Sequence, residues 1–220
     1  MASLIDTFIY GFFVYIALIL FVAGLAYRWV RNRFSWTAMS SELMEMRVLG
    51  ATSVPLHYAI IVLLIVHIGG VATGFGVSSL KLMSLWVAGA VAGIIAIYGA
   101  FVALIRRIIF PSVRSMSKAE DYIILILLIL ILALGLYQYA AVGVGGLYPI
   151  LARWFKGVFI GSPDIEPLAY LPWWIKLHTF LAMLFVAYWP FTKLAGMISY
   201  PITYITRKYQ VIRLQRRMYK

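Results

Sequence analysis

The sequence predicts an all-α membrane protein: a bundle of five transmembrane helices, with the N-terminus outside and the C-terminus cytoplasmic. Three observations carry that prediction. Of 220 residues, 64% are hydrophobic and 12% charged, whereas a soluble domain needs about 25% charged residues to face water. The charges leave four long gaps, each wide enough for the roughly 20 apolar residues that cross a hydrocarbon core of about 30 Å, and a fifth apolar stretch has lysines only near its ends. The 19 Lys and Arg, against 7 Asp and Glu, gather in every second interval between spans, as cations held on the cytoplasmic side do. A free soluble enzyme, a disordered chain and a secreted disulfide scaffold are thereby excluded. The net charge of +12 belongs to the membrane topology, and no nucleic-acid partner is expected. With no cysteine in the chain, it can hold neither thiolate metal sites nor iron–sulfur clusters.

The elements follow in order. Nothing is charged between Asp6 and Arg28, which places a first span at about residues 8–27. Because its basic residues follow the apolar stretch and no small-residue cleavage site closes it, this span is not expected to be a signal peptide. The gap from Arg47 to Lys81 holds a second span, about 51–74, and the gap from Lys81 to Arg106 a third, about 85–104. A Leu/Ile run after Asp121 makes the fourth, about 122–141. The fifth runs over about 172–196, with Lys176 and Lys193 snorkelling at its ends. Arg28, Arg31, Arg33 and Arg47, then Arg106, Arg107, Arg114 and Lys118, mark the inner face. Lys81, Arg153, Lys156 and Lys176 are the few cations on the outer one. An outer loop opens with Gly143-Val144-Gly145-Gly146 and contains an amphipathic piece, Tyr148–Ile160, expected to lie in the interface beside Trp154. Residues 1–203 thus form a transmembrane domain, and 204–220 a basic cytoplasmic tail suited to anionic headgroups or a partner.

Ionisable groups within a bilayer are costly and point to function. All three histidines fall in spans: His57 and His67 in the second, His178 in the fifth. Ten residues separate the first two, about 15 Å along a helix. His178 enters from the outside and reaches the depth of His67. Two neutral imidazoles at one depth on facing helices meet the requirement of bis-histidine haem ligation in a bundle. Gly69 and Gly70 after His67, with Ala88, Gly89, Ala90, Ala92 and Gly93 in the third span, give room for a haem ring or for plain helix–helix packing. His57 expects a partner within residues 186–197, where no histidine stands; Met197 and Lys193 are the residues there able to coordinate iron. Five-coordination, a ligand from another chain, and a single-haem protein with a structural His57 stay open. Arg106, Arg107 and Arg114 stand where inner propionates could take bidentate contacts, or serve topology alone.

The residues resemble the cytochrome b (gamma) subunit of membrane-bound respiratory nitrate reductase over nearly the whole chain. The resemblance rests on residues 34–42 (Phe34-Ser35-Trp36 through Glu42), on His57-x9-His67, and on Arg106-Arg107 with Phe110, Val113 and Arg114. It continues through Leu177-His178 and Trp189-Pro190-Phe191-Thr192-Lys193-Leu194, and is most specific at Tyr200-Pro201-Ile202-Thr203-Tyr204 through Gln210. It implies a five-helix cell-membrane subunit with two b haems, which oxidises quinol at the outer haem and passes electrons to cytoplasmic-side iron–sulfur and molybdenum subunits. By the same resemblance, His67 and His178 are the outer haem ligands and His57 one inner ligand, while the other inner position falls on Gly196. A glycine has no ligating side chain, so one or two haems are expected, with Met197 the first substitute and Lys193 the second. Lys81 lies close to the family's quinol-site lysine, and Gly70 would let a ring approach. Two other readings are a related cytochrome b subunit of a sulfur-compound or heterodisulfide-type reductase, and a haem-poor membrane anchor.

Overall fold

Four long helical stretches carry most of the described residues, and where they start and stop follows from caps, prolines and glycines. A computed structural model describes residues 3–31, 47–72, 79–143 and 147–195; the side chains at 71, 72, 79–82 and 148 lie outside that description. The chain opens with α1 (Leu4–Thr7), continues through a π-helical stretch (Phe8–Phe13) and runs on as α2 (Val14–Arg31). Its start is fixed by a capping box: Asp6 N–H donates to Ser3 Oγ at 3.1 Å, while the Ser3 hydroxyl and N–H donate to the Asp6 carboxylate. Then come α3 (Arg47–Ala72), α4 (Ser79–Ile109), the short α5 (Pro111–Met116) and α6 (Ala119–Val142). Outside the long helices lie α7 (Tyr148–Phe159) and a single turn, α8 (Glu166–Ala169), before α9 (Trp173–Tyr188). Gly143 and Gly161 follow α6 and α7 with φ of 70° and 77°, left-handed values that a glycine adopts at little cost.

Among the described residues, four stretches are long and apolar enough to cross a membrane: Leu4–Arg31, Arg47–Gly70, Met83–Ile109 and Ala119–Val142. Three of these helices outrun the expected span at both ends, and α3 does so at its N-terminal end. The reason is physical: gaps between charges mark the hydrocarbon core, whereas helices continue into the headgroups and carry Arg28, Arg31, Arg47, Arg106 and Arg107 at their ends. The fifth expected segment differs in kind. Its α-helix covers 16 residues, about 24 Å, and stops where Pro190 removes an N–H and crowds the preceding turn. The chain goes on as two 3-10 turns, Trp189–Phe191 and Lys193–Ala195.

Around the bundle, α2 packs on α9, α9 on α6, α6 on α4, and α4 on α3, while α7 meets α3. Two cores result. One joins Tyr10, Val14 and Ala17 to Trp154, Val158, Leu168, Met183 and Ala187. The other is a stripe of small residues, Ala92, Ala96 and Ala100, set against Ala59 and Leu125, Leu128 and Leu132. Small residues at a four-residue spacing let membrane helices approach closely. At Gly99 α4 approaches the α3 backbone closely, since a Cβ there would stand 2.8 Å from Leu56 Cβ and 3.1 Å from the Thr52 carbonyl oxygen.

The broken end of α9 is tied down from both sides. Arg28 Nη1 donates to the carbonyls of Pro190 at 2.7 Å and Thr192 at 2.6 Å, satisfying acceptors that the 3-10 geometry frees and that lipid cannot satisfy. Lys193 Nζ donates to the buried Asp121 carboxylate at 2.5 Å. At the outer end Lys176, expected to snorkel freely, pairs with Asp6 at 2.7 Å and donates to the Ala169 carbonyl at 2.8 Å.

Candidate functional site

His67 stands five residues before the end of α3 and His178 five residues after the start of α9, and the fold brings them together. Their ring centres are 6.5 Å apart and their planes differ by 18°. Each Nδ1 is bound to a main-chain carbonyl: His67 to Leu63 at 2.7 Å, His178 to Ile131 at 3.0 Å. A carbonyl only accepts, so Nδ1 carries the proton and Nε2 keeps its lone pair. That tautomer is the one a metal needs, with the second nitrogen's hydrogen bond fixing the ring. Gly135 makes room for His178, because a Cβ there would lie 3.2 Å from the ring's Cε1.

Both imidazoles face a cavity of about 790 Å3, within the roughly 300–1,000 Å3 usual for cofactor sites. Its walls include α2 (Val14, Ala17, Leu18), α3 (Leu64, Ile68), α9 (Thr179, Met183, Val186) and α7 (Leu151, Trp154, Val158). Two metal–imidazole bonds of about 2 Å, with each ring centre about 1 Å beyond its nitrogen, separate axial rings by about 6 Å. The observed spacing therefore suits one metal ion between the two rings. Among the described residues no three His, Asp or Glu side chains converge on a metal. Two imidazoles and an apolar cavity instead suit a haem, which brings four ligands of its own.

The wall also holds residues that span counting does not single out. Trp86 on α4 and Gln138 on α6 line the cavity, yet Trp86 Nε1 and Gln138 Nε2 are buried with no hydrogen-bond partner among the described residues. Leaving a buried donor unpaired costs about 1–3 kcal/mol. Gln138 was legible in principle as the lone amide in the apolar fourth span. Trp86 was not, since a tryptophan near a span end reads as an interfacial anchor. Helix α7 confirms the expected amphipathic piece, but Trp154 is turned inward. It is buried, its indole N–H donates to the Tyr10 carbonyl at 3.0 Å, and its ring meets Tyr10 edge-on at 5.9 Å. Phe155, Phe159 and Ile160 are the exposed apolar residues there.

Other predicted residues fall elsewhere. His57 is exposed on α3, outside the cavity wall, with Nδ1 on the Ser53 carbonyl at 2.5 Å. Gly70 is buried in α3 and is not a wall residue. The third-span glycines serve packing, as Gly89 abuts the Tyr139 side chain and Gly93 that of Leu136. Lys193 is engaged with Asp121, and an ammonium so held offers iron no lone pair. Arg107 donates to the Ala103 carbonyl at 3.3 Å and keeps a buried Nε without a partner among the described residues. Arg114 is exposed on α5. Lys81 begins α4, with its side chain outside the description, and Met197, Gly196, residues 32–46 and the tail 204–220 also lie outside the described residues.

Membrane-length helices around a cavity lined by paired imidazoles define a membrane protein of the helical-bundle class. The chain belongs to the nitrate reductase gamma subunit family, whose profile matches residues 6–215. It is 30% identical over 215 residues to the nitrate reductase gamma chain of Bacillus subtilis, covering 93% of this chain and 96% of that one. To the respiratory nitrate reductase 1 gamma chain of Escherichia coli it is 28% identical over 222 residues, 95% and 97% of the two chains. A nitrate reductase-like protein of Mycobacterium tuberculosis is 27% identical over 213 residues, 90% of this chain and 32% of that longer one. These relatives are named as subunits or relatives of nitrate reductase, an oxidoreductase complex.

Proposed function

We propose that the protein is the membrane-anchoring b-type cytochrome subunit of a nitrate reductase-like complex in the cell membrane. The observation that carries this reading is the His67–His178 pair, 6.5 Å between ring centres with both Nδ1 atoms on carbonyls. On this reading α9 and its 3-10 extension make a fifth crossing, the N-terminus is outside, and residues 1–203 form the transmembrane domain with 204–220 as a basic cytoplasmic tail. Family membership favours nitrate over a sulfur-compound or heterodisulfide acceptor.

His67 and His178 hold the outer b haem, with Gly70 giving room in the packing behind them. When bound, that haem supplies a one-electron carrier between quinol and partner iron–sulfur and molybdenum subunits at the inner face. The chain's residues do the rest. The carbonyls of Leu63 and Ile131 hold both imidazoles in the ligating tautomer, and α7 covers the cavity against water. A quinol that loses two electrons there also releases two protons at the outer mouth, where Lys81 sits as a quinol-site cation. His57 contributes one ligand to an inner haem, ten residues or about 15 Å further in. Met197 is the first candidate for its partner; Lys193, the second, would have to leave Asp121 and lose its proton before it could coordinate. Arg107, with its unpartnered Nε, and Arg114 are the inner cations for propionates.

Haem stoichiometry per chain, by pyridine haemochrome, tests the assignment. His178→Ala is expected to lose one haem, and Met197→Ala to lower a wild-type count of two to one. A chain with no b-type absorption at all overturns the reading in favour of a haem-free anchor.

A further inference from the structure

We propose that Trp86 and Gln138 hydrogen-bond the head-group oxygens of the quinol, forming the polar end of the cavity that holds His67 and His178. The inference rests on the reading of that cavity as a haem and quinol site. Trp86 stands seven residues from the outer start of α4, and Gln138 four from the outer end of α6, so both lie at about the depth of the histidines. Both line the cavity, and Trp86 Nε1 and Gln138 Nε2 are buried there without partners among the described residues. Buried donors in native proteins are rarely left unpaired, and lipid offers them no acceptor. Two orphaned donors on one cavity wall point to a ligand that brings its own acceptors.

The chemistry of the donors selects the ligand. Indole and amide N–H groups are neutral and suit a neutral carbonyl or hydroxyl oxygen. A carboxylate would be drawn to the cation on the same wall, Lys156. The indole N–H only donates, and reaches an oxygen lone pair in quinol and quinone alike. The amide both donates and accepts, so Gln138 can take the O–H of a quinol or give an N–H to a quinone carbonyl. Around them Leu18, Leu64, Ile68 and Leu151 give an apolar lining for a ring and its tail.

The test uses the full complex in membranes, with menadiol, a tail-less naphthoquinol, as the probe. Trp86→Phe keeps an aromatic ring and removes the N–H; Gln138→Leu removes the amide. Each variant is expected to keep its dithionite-reducible haem and that haem's midpoint potential, while KM for menadiol rises about three- to tenfold, the loss of one neutral hydrogen bond. An unchanged KM in both variants with haem intact overturns the proposal. So does a shifted potential or lost haem at unchanged KM, which would turn the donors toward the haem. If Gln138→Leu does not accumulate, Trp86→Phe alone decides. A wild-type chain without a b-type band would instead overturn the parent reading, and this inference with it.

Discussion

A histidine gives its lone pair to iron only when its proton sits on the other nitrogen, and in this chain the backbone decides that. His57, His67 and His178 each hold Nδ1 on a main-chain carbonyl. For the first two the acceptor lies one turn back on the same helix, which any helical histidine can reach. For His178 it is Ile131 on α6, so the placement of that ring depends on the α6–α9 contact. Its depth was legible in the sequence, because residue counting along helices measures depth. Its orientation was not, because Ile131 is far away in the chain. Gly135, one turn beyond Ile131, tests the point: a Cβ there meets His178 Cε1 at 3.2 Å. Gly135→Val is expected to displace the imidazole and lower haem content per chain at least twofold (on the order of 0.5 kcal/mol or more), measured by pyridine haemochrome. Wild-type haem content in that variant would show that the ring has room to spare.

At the scale of elements, the end of α9 is the feature that sequence counting misjudged. Hydropathy continues through residues 189–195, so a span to 196 was expected, but Pro190 ends the α-helix and the chain tightens into 3-10 turns. Arg28 and the Lys193–Asp121 pair hold those turns, and both contacts join residues remote in sequence. The pair is mostly desolvated, with side-chain exposures of 25% and 5%. Removing one member of such a pair leaves a charge without compensation, at a cost of about 3 kcal/mol. Lys193→Met is therefore expected to lower the thermal midpoint in detergent by several degrees. Adding Asp121→Asn, which keeps the capping acceptor for the Lys118 N–H seen at 2.9 Å, is expected to recover at least half of that loss. A double variant as unstable as the single one would show that the ammonium acts through other contacts. The four longer helices, by contrast, were legible as elements because each fills one gap between charges; most of their ends were read short, α3 at its N-terminal end alone.

For the whole molecule, composition determined the environment and the lysines and arginines the expected direction, while the cavity arises from side chains on six helices and has no signature in any one of them. The absence of cysteine offers a direct test of direction. Single cysteines at Ser3 and at the exposed Ser115 on α5 are expected to label oppositely with an impermeant maleimide in intact cells, Ser3→Cys reacting and Ser115→Cys only after permeabilisation. The reverse pattern would invert the topology and place the His67–His178 cavity at the inner face. Electrons would then not need to cross the membrane to reach cytoplasmic partners, and charge separation by this subunit would be lost.

The central claim, that His67 and His178 hold a haem that takes electrons from quinol, meets its most direct test in the absorption spectrum of membranes reduced with menadiol. The wild-type complex is predicted to show a b-type band on adding menadiol and to lose it on adding nitrate. His178→Ala is predicted to show no menadiol-reduced band, even where dithionite still reduces a remaining haem. A band that menadiol still raises at the wild-type rate in His178→Ala would contradict the account.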